Sequence, residues 1–464
     1  MKNNRLLIFG LALVLGGCTM MPKYERPSAP VNGSWPNSSS SSGTNTAAEL
    51  DWRQFFDDPR LQILIRLALE NNRDLRVAAL RVEQARAQYR IQRAELYPGV
   101  EGDASAVRQK FSGAVTTFNG GAAITTYTLQ VDAAWEADLF GRIRSLKREA
   151  LEKYFATDEA RKSVQIALVS EVASEYLTQL RLREAKAVAN ETLKTVQAAY
   201  ELNRRSFEAG AASELDLRTA EGQVQTVRVN AANYLELLAQ SENALVLLVG
   251  QPLPKDLPPG VPFREQHLLH DLPAGVPSEV LQRRPDILAA EHTLEAANAD
   301  IGAARAAFFP RIILTGAAGT ASAKLSDLFT GPSSTWSFSP QITVPIFDVG
   351  GNRAKLDVSK VSKKIEIANY EKAIQNAFRE VADALAVRSI LDEKLAAQEL
   401  LLNALQKRFD LTNARYRQGV DNYVVVLLAQ QDLYVAQQNL LQFQAERLLN
   451  AVALYRSLGG GWKS

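Results

Sequence analysis

Tyr127-Thr128-Leu129-Gln130-Val131-Asp132-Ala133-Ala134-Trp135-Glu136 decides how the rest of the chain is read. Tyr127, Leu129, Val131, Ala133 and Trp135 alternate with Thr128, Gln130, Asp132, Ala134 and Glu136. That period of two sends successive side chains to opposite faces of a strand. Shortly afterwards the chain runs from Arg142 to Ala209, 68 residues, without a Gly or a Pro. A helix of that length would extend about 100 Å at its fixed rise per residue, far beyond an ordinary globular helix. The pairing recurs: Trp336, Phe338, Pro340, Ile342 and Val344 alternate with Ser337, Ser339, Gln341 and Thr343, and Asn352 to Gln418 is again free of Gly and Pro for 67 residues. Each alternating stretch has a weaker partner. Val100, Gly102, Ala104 and Ala106 stand against Glu101, Asp103 and Ser105, and Ile312 to Ala318 alternates poorly. Strands of about ten residues suit a tilted bilayer crossing, and Tyr97, Trp135, Phe309 and Trp336 sit near their ends as interfacial aromatics would. Taken alone, the strands also fit a soluble four-stranded sheet with one buried face.

The recurrence is a duplication. A shift of 212 positions aligns Asp74 to Pro98 with Asp286 to Pro310, matching Asp74/Asp286, Ala78/Ala290, Glu83/Glu295, Ala85/Ala297, Ala87/Ala299, Arg93/Arg305, Ala94/Ala306 and Pro98/Pro310. A shift of 209 aligns Leu202/Leu411, Gly210/Gly419, Ala220/Ala429, Asn230/Asn439, Leu245/Leu454 and Gly250/Gly459. Two copies are too few for a solenoid, so they make paired halves of one architecture. In each copy the long helix is expected to end at a glycine, Gly210 or Gly419, suited to the left-handed conformation. Ser213 with Asp216 caps the returning helix of the first copy, and Asp421 and Asn422 that of the second. Apolar spacings of three and four, as at Ile166, Val169, Ala173, Leu177 and Leu180, suit lateral helix packing.

The resulting division is a leader at 1–17, a tether at 18–50, a first repeat at 51–250 with strands 97–108 and 126–136 and a hairpin 141–249, a Pro-rich linker at 251–277, and a second repeat at 278–464 with strands 310–321 and 335–345 and a hairpin 352–458. Lys2 and Arg5 precede an apolar stretch, Leu6 to Leu15, about half the length of a spanning helix. It closes on Leu15-Gly16-Gly17-Cys18, which resembles a bacterial lipobox. Cys18 would become the first residue and carry diacylglyceryl and N-acyl chains, and Thr19 after it favours the outer membrane. The Ser, Asn, Pro and Ala of residues 28–48 read as a tether.

Composition narrows the function. Of 53 basic and 51 acidic side chains, Lys2 and Arg5 lie in the leader, so the remainder balances. That excludes a nucleic-acid binder running on bulk charge. With 46% apolar and 22% charged residues the chain folds. One cysteine excludes a disulfide framework, and three histidines, His267, His270 and His292, leave little for a metal site, so none is expected. His267 and His270 lie in the linker and are expected to be solvent-exposed. There is no phosphate loop and no catalytic triad spacing, and Asp57-Asp58-Pro59 reads as a helix start. No enzyme is indicated.

Four strands in a membrane leave two edges that lipid cannot satisfy, so the sheet must close with strands of other copies. Two copies would give a barrel filled by its own side chains. Three give twelve strands and a lumen, with the helical hairpins gathered into a tube, and this construction requires a homotrimer.

Several motifs resemble the TolC-like outer-membrane efflux factors, within them the lipid-anchored, OprM-like branch. They are Leu281-Gln282-Arg283-Arg284-Pro285-Asp286-Ile287 through Ala289-Ala290-Glu291 to Ile301-Gly302-Ala303-Ala304-Arg305-Ala306-Ala307-Phe308-Phe309-Pro310; Asp138-Leu139-Phe140-Gly141; Tyr416-Arg417-Gln418-Gly419-Val420-Asp421-Asn422-Tyr423; and Leu458-Gly459-Gly460-Gly461-Trp462. The resemblance covers nearly all of the chain after the leader. It implies a trimeric twelve-stranded transmembrane β-barrel continued by a periplasmic α-helical barrel. It also implies a periplasmic adaptor and an inner-membrane pump, of the proton-driven resistance-nodulation-division type, that expels drugs or other small toxic molecules. Cofactors are not implied beyond the lipid on Cys18. The resemblance further implies a gate: Arg415 and Tyr416 match its network positions, and Val424, Leu428 and Gln431 match positions where relatives carry Leu, Asp and Arg. This chain would then lack an acidic ring and close by apolar packing, unless Leu428 faces a neighbouring helix instead. Gly210, Ser213, Gly419, Asp421 and Asn422 would form the tips at which partners dock. The competing reading is a structural or adaptor lipoprotein whose hairpins bind a partner channel; contact of residues 127–135 and 336–344 with lipid separates the two.

Overall fold

The structure, a computed structural model, describes residues 19–35, 50–110, 123–268 and 283–462. Cys18, His270, Leu281 and Gln282 lie outside them. In chain order come α1 (Trp52–Phe55), α2 (Pro59–Asn71), α3 (Arg73–Ala94), β1 (Gly99–Lys110), β2 (Ala123–Ala137), α4 (Arg142–Glu208), α5 (Glu214–Val249), α6 (Pro285–Ala306), β3 (Arg311–Ser322), β4 (Ser334–Thr343), α7 (Gly351–Arg417) and α8 (Tyr423–Ser457). The succession α3-β1-β2-α4-α5 is repeated as α6-β3-β4-α7-α8. Asp138 and Asp348 occupy matching places before the long helices. Asp138 accepts from the backbone N–H groups of Ile143 and Arg144, and Asp348 from those of Gly350 and Asn352.

The chain divides into two compact units, one of residues 1–28, 81–158 and 289–371, the other of residues 29–80, 159–288 and 372–464. The first holds an antiparallel sheet of order β1-β2-β3-β4. Register sorts its side chains cleanly, because directly paired residues share a face. Gly102, Val131, Ala318 and Trp336 stand in one row and Val100, Ala133, Gly316 and Phe338 in the next, while Asp103, Gln130 and Gly319 belong to the opposite face. The strand ends differ by up to three residues from the ranges read in the sequence. β4 stops at Thr343, short of Pro345, which has no N–H for a ladder. The poor alternation of Ile312 to Ala318 also has a cause. β3 is built of small residues where it crosses β2, and a Cβ on Gly319 would collide with the Leu129 carbonyl oxygen.

In the second unit Trp52, Phe55, Phe56, Leu61 and Ile65 pack with Val172, Tyr176 and Leu177 of α4 and Leu448, Val452 and Tyr455 of α8. Phe55 and Tyr455 stack at 4.2 Å. Asp58 caps α2 through the N–H groups of Arg60 and Leu61, and its other oxygen accepts from Tyr176 Oη, Val261 N and Gln266 Nε2. Asp57-Asp58-Pro59 is thus a helix start, and one carboxylate ties α2, α4 and the linker together. Burial and the adjoining Asp58 push the Tyr176 phenol above its ordinary range. Arg284 is a second buried tie. Its guanidinium donates to Asp286, Glu380 and the Ser457 carbonyl, which joins the start of α6 to α7 and the end of α8.

Candidate functional site

The sheet of the first unit has no covering layer among the described residues. Its apolar face is open: Val100, Leu129, Val131, Trp336, Phe338 and Ile342 are exposed, Trp336 to 78%. The opposite face carries Glu101, Asp103, Thr128, Gln130, Asp132, Ser337, Ser339 and Gln341 by register. No described helix is long and apolar enough to span a membrane. β1 and β4 each pair on one side only, so both edges are open among the described residues. Aromatics mark the end beside the helices, where Trp135 donates to the Leu96 carbonyl at 3.0 Å and Phe309 stacks on Phe140 at 4.7 Å; Trp336, near the start of β4, stands instead in the row of Ala318 and Val131, midway along β2.

In the second unit the hairpin tips are built alike. Gly210 and Gly419 take φ of +76° and +74°. Ala211 N–H reaches the Ser206 carbonyl and Gly210 N–H that of Phe207; Val420 reaches Arg415 and Gly419 reaches Tyr416 in the same way. These paired bonds satisfy the last carbonyls of α4 and α7. Ser213 and Asp216 form a reciprocal capping box on α5. At α8 the cap is Asn422, which accepts from Val425 N–H. Asp421, expected as a cap as well, instead holds Arg415 in two hydrogen bonds, since a carboxylate matches the guanidinium fork. Each partner stabilises the other's charged form, so the Asp421 carboxyl is lowered and the Arg415 guanidinium raised from their ordinary values.

Tyr416 lies between the two tips. Its hydroxyl is 3.5 Å from Asn203 Oδ1 of α4, its ring is 5.6 Å from that of Tyr423, and burial raises its pKa, with the Asp216 charge adding to it. Ala220, Tyr423, Val426 and Leu427 form the small core there, with Tyr200 and Phe409 against it. Val424, Leu428 and Gln431 fall on the other side of α8. Leu428 is 48% exposed and Gln431 is exposed, while Val426, Leu427, Ala429 and Gln430 turn inward. Spacings of four and three put the three expected gate residues on one stripe of the helix, along which Leu428 and Gln431 are exposed and Val424 is half-buried. The structure therefore gathers Arg415, Tyr416, Gly419, Asp421 and Asn422 at one tip and Gly210 and Ser213 at the other, and leaves Leu428 and Gln431 exposed with Val424 half-buried.

Sequence reasoning missed Asn203 as a Tyr416 neighbour and the Arg408–Asp432 ion pair at 2.6 Å across the α7–α8 hairpin. It also missed Glu152, His292 and Glu295, whose ligand atoms all lie within 4.8 Å of one another. A sequence lines up residues along one helix, and these sets meet across helices. His267 is exposed, as the linker position suggested.

The model of the family described as outer membrane efflux protein matches residues 64–251 and 276–460. The antibiotic efflux pump outer membrane protein ArpC of Pseudomonas putida is 46% identical over all of this chain and 96% of its own. The toluene efflux pump outer membrane protein TtgC, also of Pseudomonas putida, is 46% identical with the same coverage. The open-state outer membrane channel MtrE of Neisseria gonorrhoeae superposes with a TM-score of 0.88 at 40% identity, over 96% of this chain and 99% of that one.

Proposed function

The chain belongs to the outer membrane efflux protein family, and from that premise we propose how it works as part of an efflux system. It is an outer-membrane channel component of an efflux pump, with the TolC-like, OprM-like fold: a trimeric barrel to which each chain gives four strands, continued by a helical tunnel. The observation that carries this reading is the uncovered sheet, apolar on one face, polar on the other and open at both edges. Lipid accepts the first face, water in a lumen the second, and only strands of other copies can satisfy the edges. An adaptor has no use for such a sheet.

In the proposed assembly a periplasmic adaptor docks at the tips around Gly210, Ser213, Gly419, Asp421 and Asn422, and a proton-driven inner-membrane transporter of the resistance-nodulation-division type supplies the energy. The channel itself conducts passively and needs no cofactor. The two relatives are named for antibiotics and toluene, which supports small toxic organic compounds as cargo here. Cys18, acylated, fastens the chain to the outer membrane. The resting channel is closed at the tips. Arg415 and Tyr416 hold the second hairpin, and Val424, Leu428 and Gln431 line the constriction, which narrows by apolar contact where Leu428 stands. Two observations support this gate: the exposure of Leu428 and Gln431 on α8 and the grip of Arg415 on Asp421.

The test is complementation. Gram-negative cells lacking their own efflux outer-membrane channel are given this chain together with its cognate pump and adaptor, and tolerance to toluene and antibiotics is measured. Restored tolerance that disappears when the pump is omitted is the expected result. Tolerance independent of the pump, or a purified protein that forms no trimer in detergent, would overturn the reading.

A further inference from the structure

Glu152 on α4 and His292 and Glu295 on α6 make a cluster that the channel reading does not use. His292 Nδ1 is 2.7 Å from Glu152 Oε2. The Glu152 side chain is 1% exposed, and its Oε1 accepts no hydrogen bond of proper geometry. One nitrogen, Arg148 Nη2, stands between the two carboxylates, 2.5 Å from Glu152 Oε1 and 3.1 Å from Glu295 Oε2. The protein thus already puts a cation between two of three donors whose ligand atoms fall within 4.8 Å of one another. Arg148 is the most exposed member of the group, at 47%. It sits one turn before Glu152 on a long flexible stem, so it can swing into solvent without moving the backbone.

We propose that Glu152, His292 and Glu295 bind a divalent transition-metal ion that takes the place of the Arg148 guanidinium. One imidazole nitrogen and two carboxylate oxygens suit ions of the Zn²⁺, Ni²⁺ and Cu²⁺ class, with water completing the shell. Donors at about 2.0–2.2 Å from such an ion lie roughly 3.3–4.3 Å apart, so Glu152 turns its Oε1 rather than Oε2, which is 2.7 Å from His292 Nδ1, toward the ion, and Glu295, whose side chain is 23% exposed, rotates to meet it. A guanidinium already neutralises one of the two negative charges. The ion brings one more positive charge than the group it displaces, and it ties α4 of the first repeat to α6 of the second.

The experiment uses the detergent-solubilised full-length protein carrying His267→Ala and His270→Ala, which leaves His292 as its one imidazole. Zinc chloride is titrated calorimetrically, and Cu²⁺ is followed by electron paramagnetic resonance. The expected result is one Zn²⁺ per chain and a Cu²⁺ spectrum with a single nitrogen ligand. Both are lost in His292→Ala and weakened at least tenfold in Glu295→Gln. Arg148→Gln, which removes the competing cation, tightens Zn²⁺ binding; a residue with a merely structural role would not do so. Equal Zn²⁺ affinity with and without His292, or no tightening in Arg148→Gln, would overturn the proposal. Glu295 is partly exposed, so its variant keeps the test open should a change at buried Glu152 prevent assembly.

Discussion

Arg415 and Asp421 clasp each other across the second hairpin turn, Nε to Oδ2 at 2.6 Å and Nη2 to Oδ1 at 3.0 Å, with Gly419 between them in the left-handed conformation. The clasp ties the last turn of α7 to the residue before the cap of α8. In the proposed gate Arg415→Ser combined with Tyr416→Phe frees that turn. Single-channel conductance of the isolated trimer in a planar bilayer should rise. Conductance equal to wild type would remove both residues from the gate.

The same clasp sets a pH window. Arg415 holds the Asp421 carboxyl below its ordinary value of 3.8. A lowered carboxylate contributes above its free pKa and loses that contribution as pH falls through the lowered value. The clasp therefore stays closed from about pH 8 to about pH 5, with loosening confined to below about pH 4. Conductance that rises between pH 7 and pH 5 in the wild type but not in Asp421→Asn would contradict this.

The two faces of β2 make a paired test. Val131 is exposed on the apolar face and Gln130 lies on the polar one. An arginine facing lipid near mid-membrane costs about 2–4 kcal/mol, whereas lumen-facing changes are tolerated. Val131→Arg should reduce the trimer recovered from outer membranes, and Gln130→Arg should not. Equal yields from both variants would mean that the assignment of faces is wrong.

Asp58 should prove costly to remove. Tyr176 Oη, Val261 N and Gln266 Nε2 all donate to one of its oxygens, and the other caps α2. Loss of a cap costs about 1 kcal/mol and each buried donor left unpaired about 1–3 kcal/mol. Asp58→Ala should thus lower stability by more than about 3 kcal/mol, read as an earlier thermal transition in circular dichroism, with Asp58→Asn falling between. A melt indistinguishable from wild type would show that water replaces the carboxylate.

Tyr423 presents the opposite case. Its ring belongs to the tip core, burial pushes its phenol up to about 12, and its hydroxyl has no partner among the described residues. Burying an unpaired hydroxyl costs free energy, so Tyr423→Phe should be neutral or stabilising in the same melt. A loss above about 1 kcal/mol, the worth of one hydrogen bond, would reveal a partner supplied by a neighbouring chain.

Much of this architecture was legible in the residues. The alternation from Tyr127 to Trp135 and the long segments without Gly or Pro are local patterns, because a strand repeats every two residues and a helix every 3.6. Gly210 and Gly419 were legible as helix ends for the same reason: positive φ is a demand on one residue. The duplication also fixed the order of elements, since α3-β1-β2-α4-α5 recurs as α6-β3-β4-α7-α8. Tertiary structure decided what joins residues far apart in the chain. Asp421 looked like a cap until the folded turn brought Arg415 within 2.6 Å of it. Arg284 was part of a motif without a stated task until Glu380 and the end of α8 closed around it. Glu152, His292 and Glu295 were three unremarkable residues on two helices until packing gathered their ligand atoms. Periodicity records which face of an element a side chain occupies, but the partner across that face is chosen only when the elements pack.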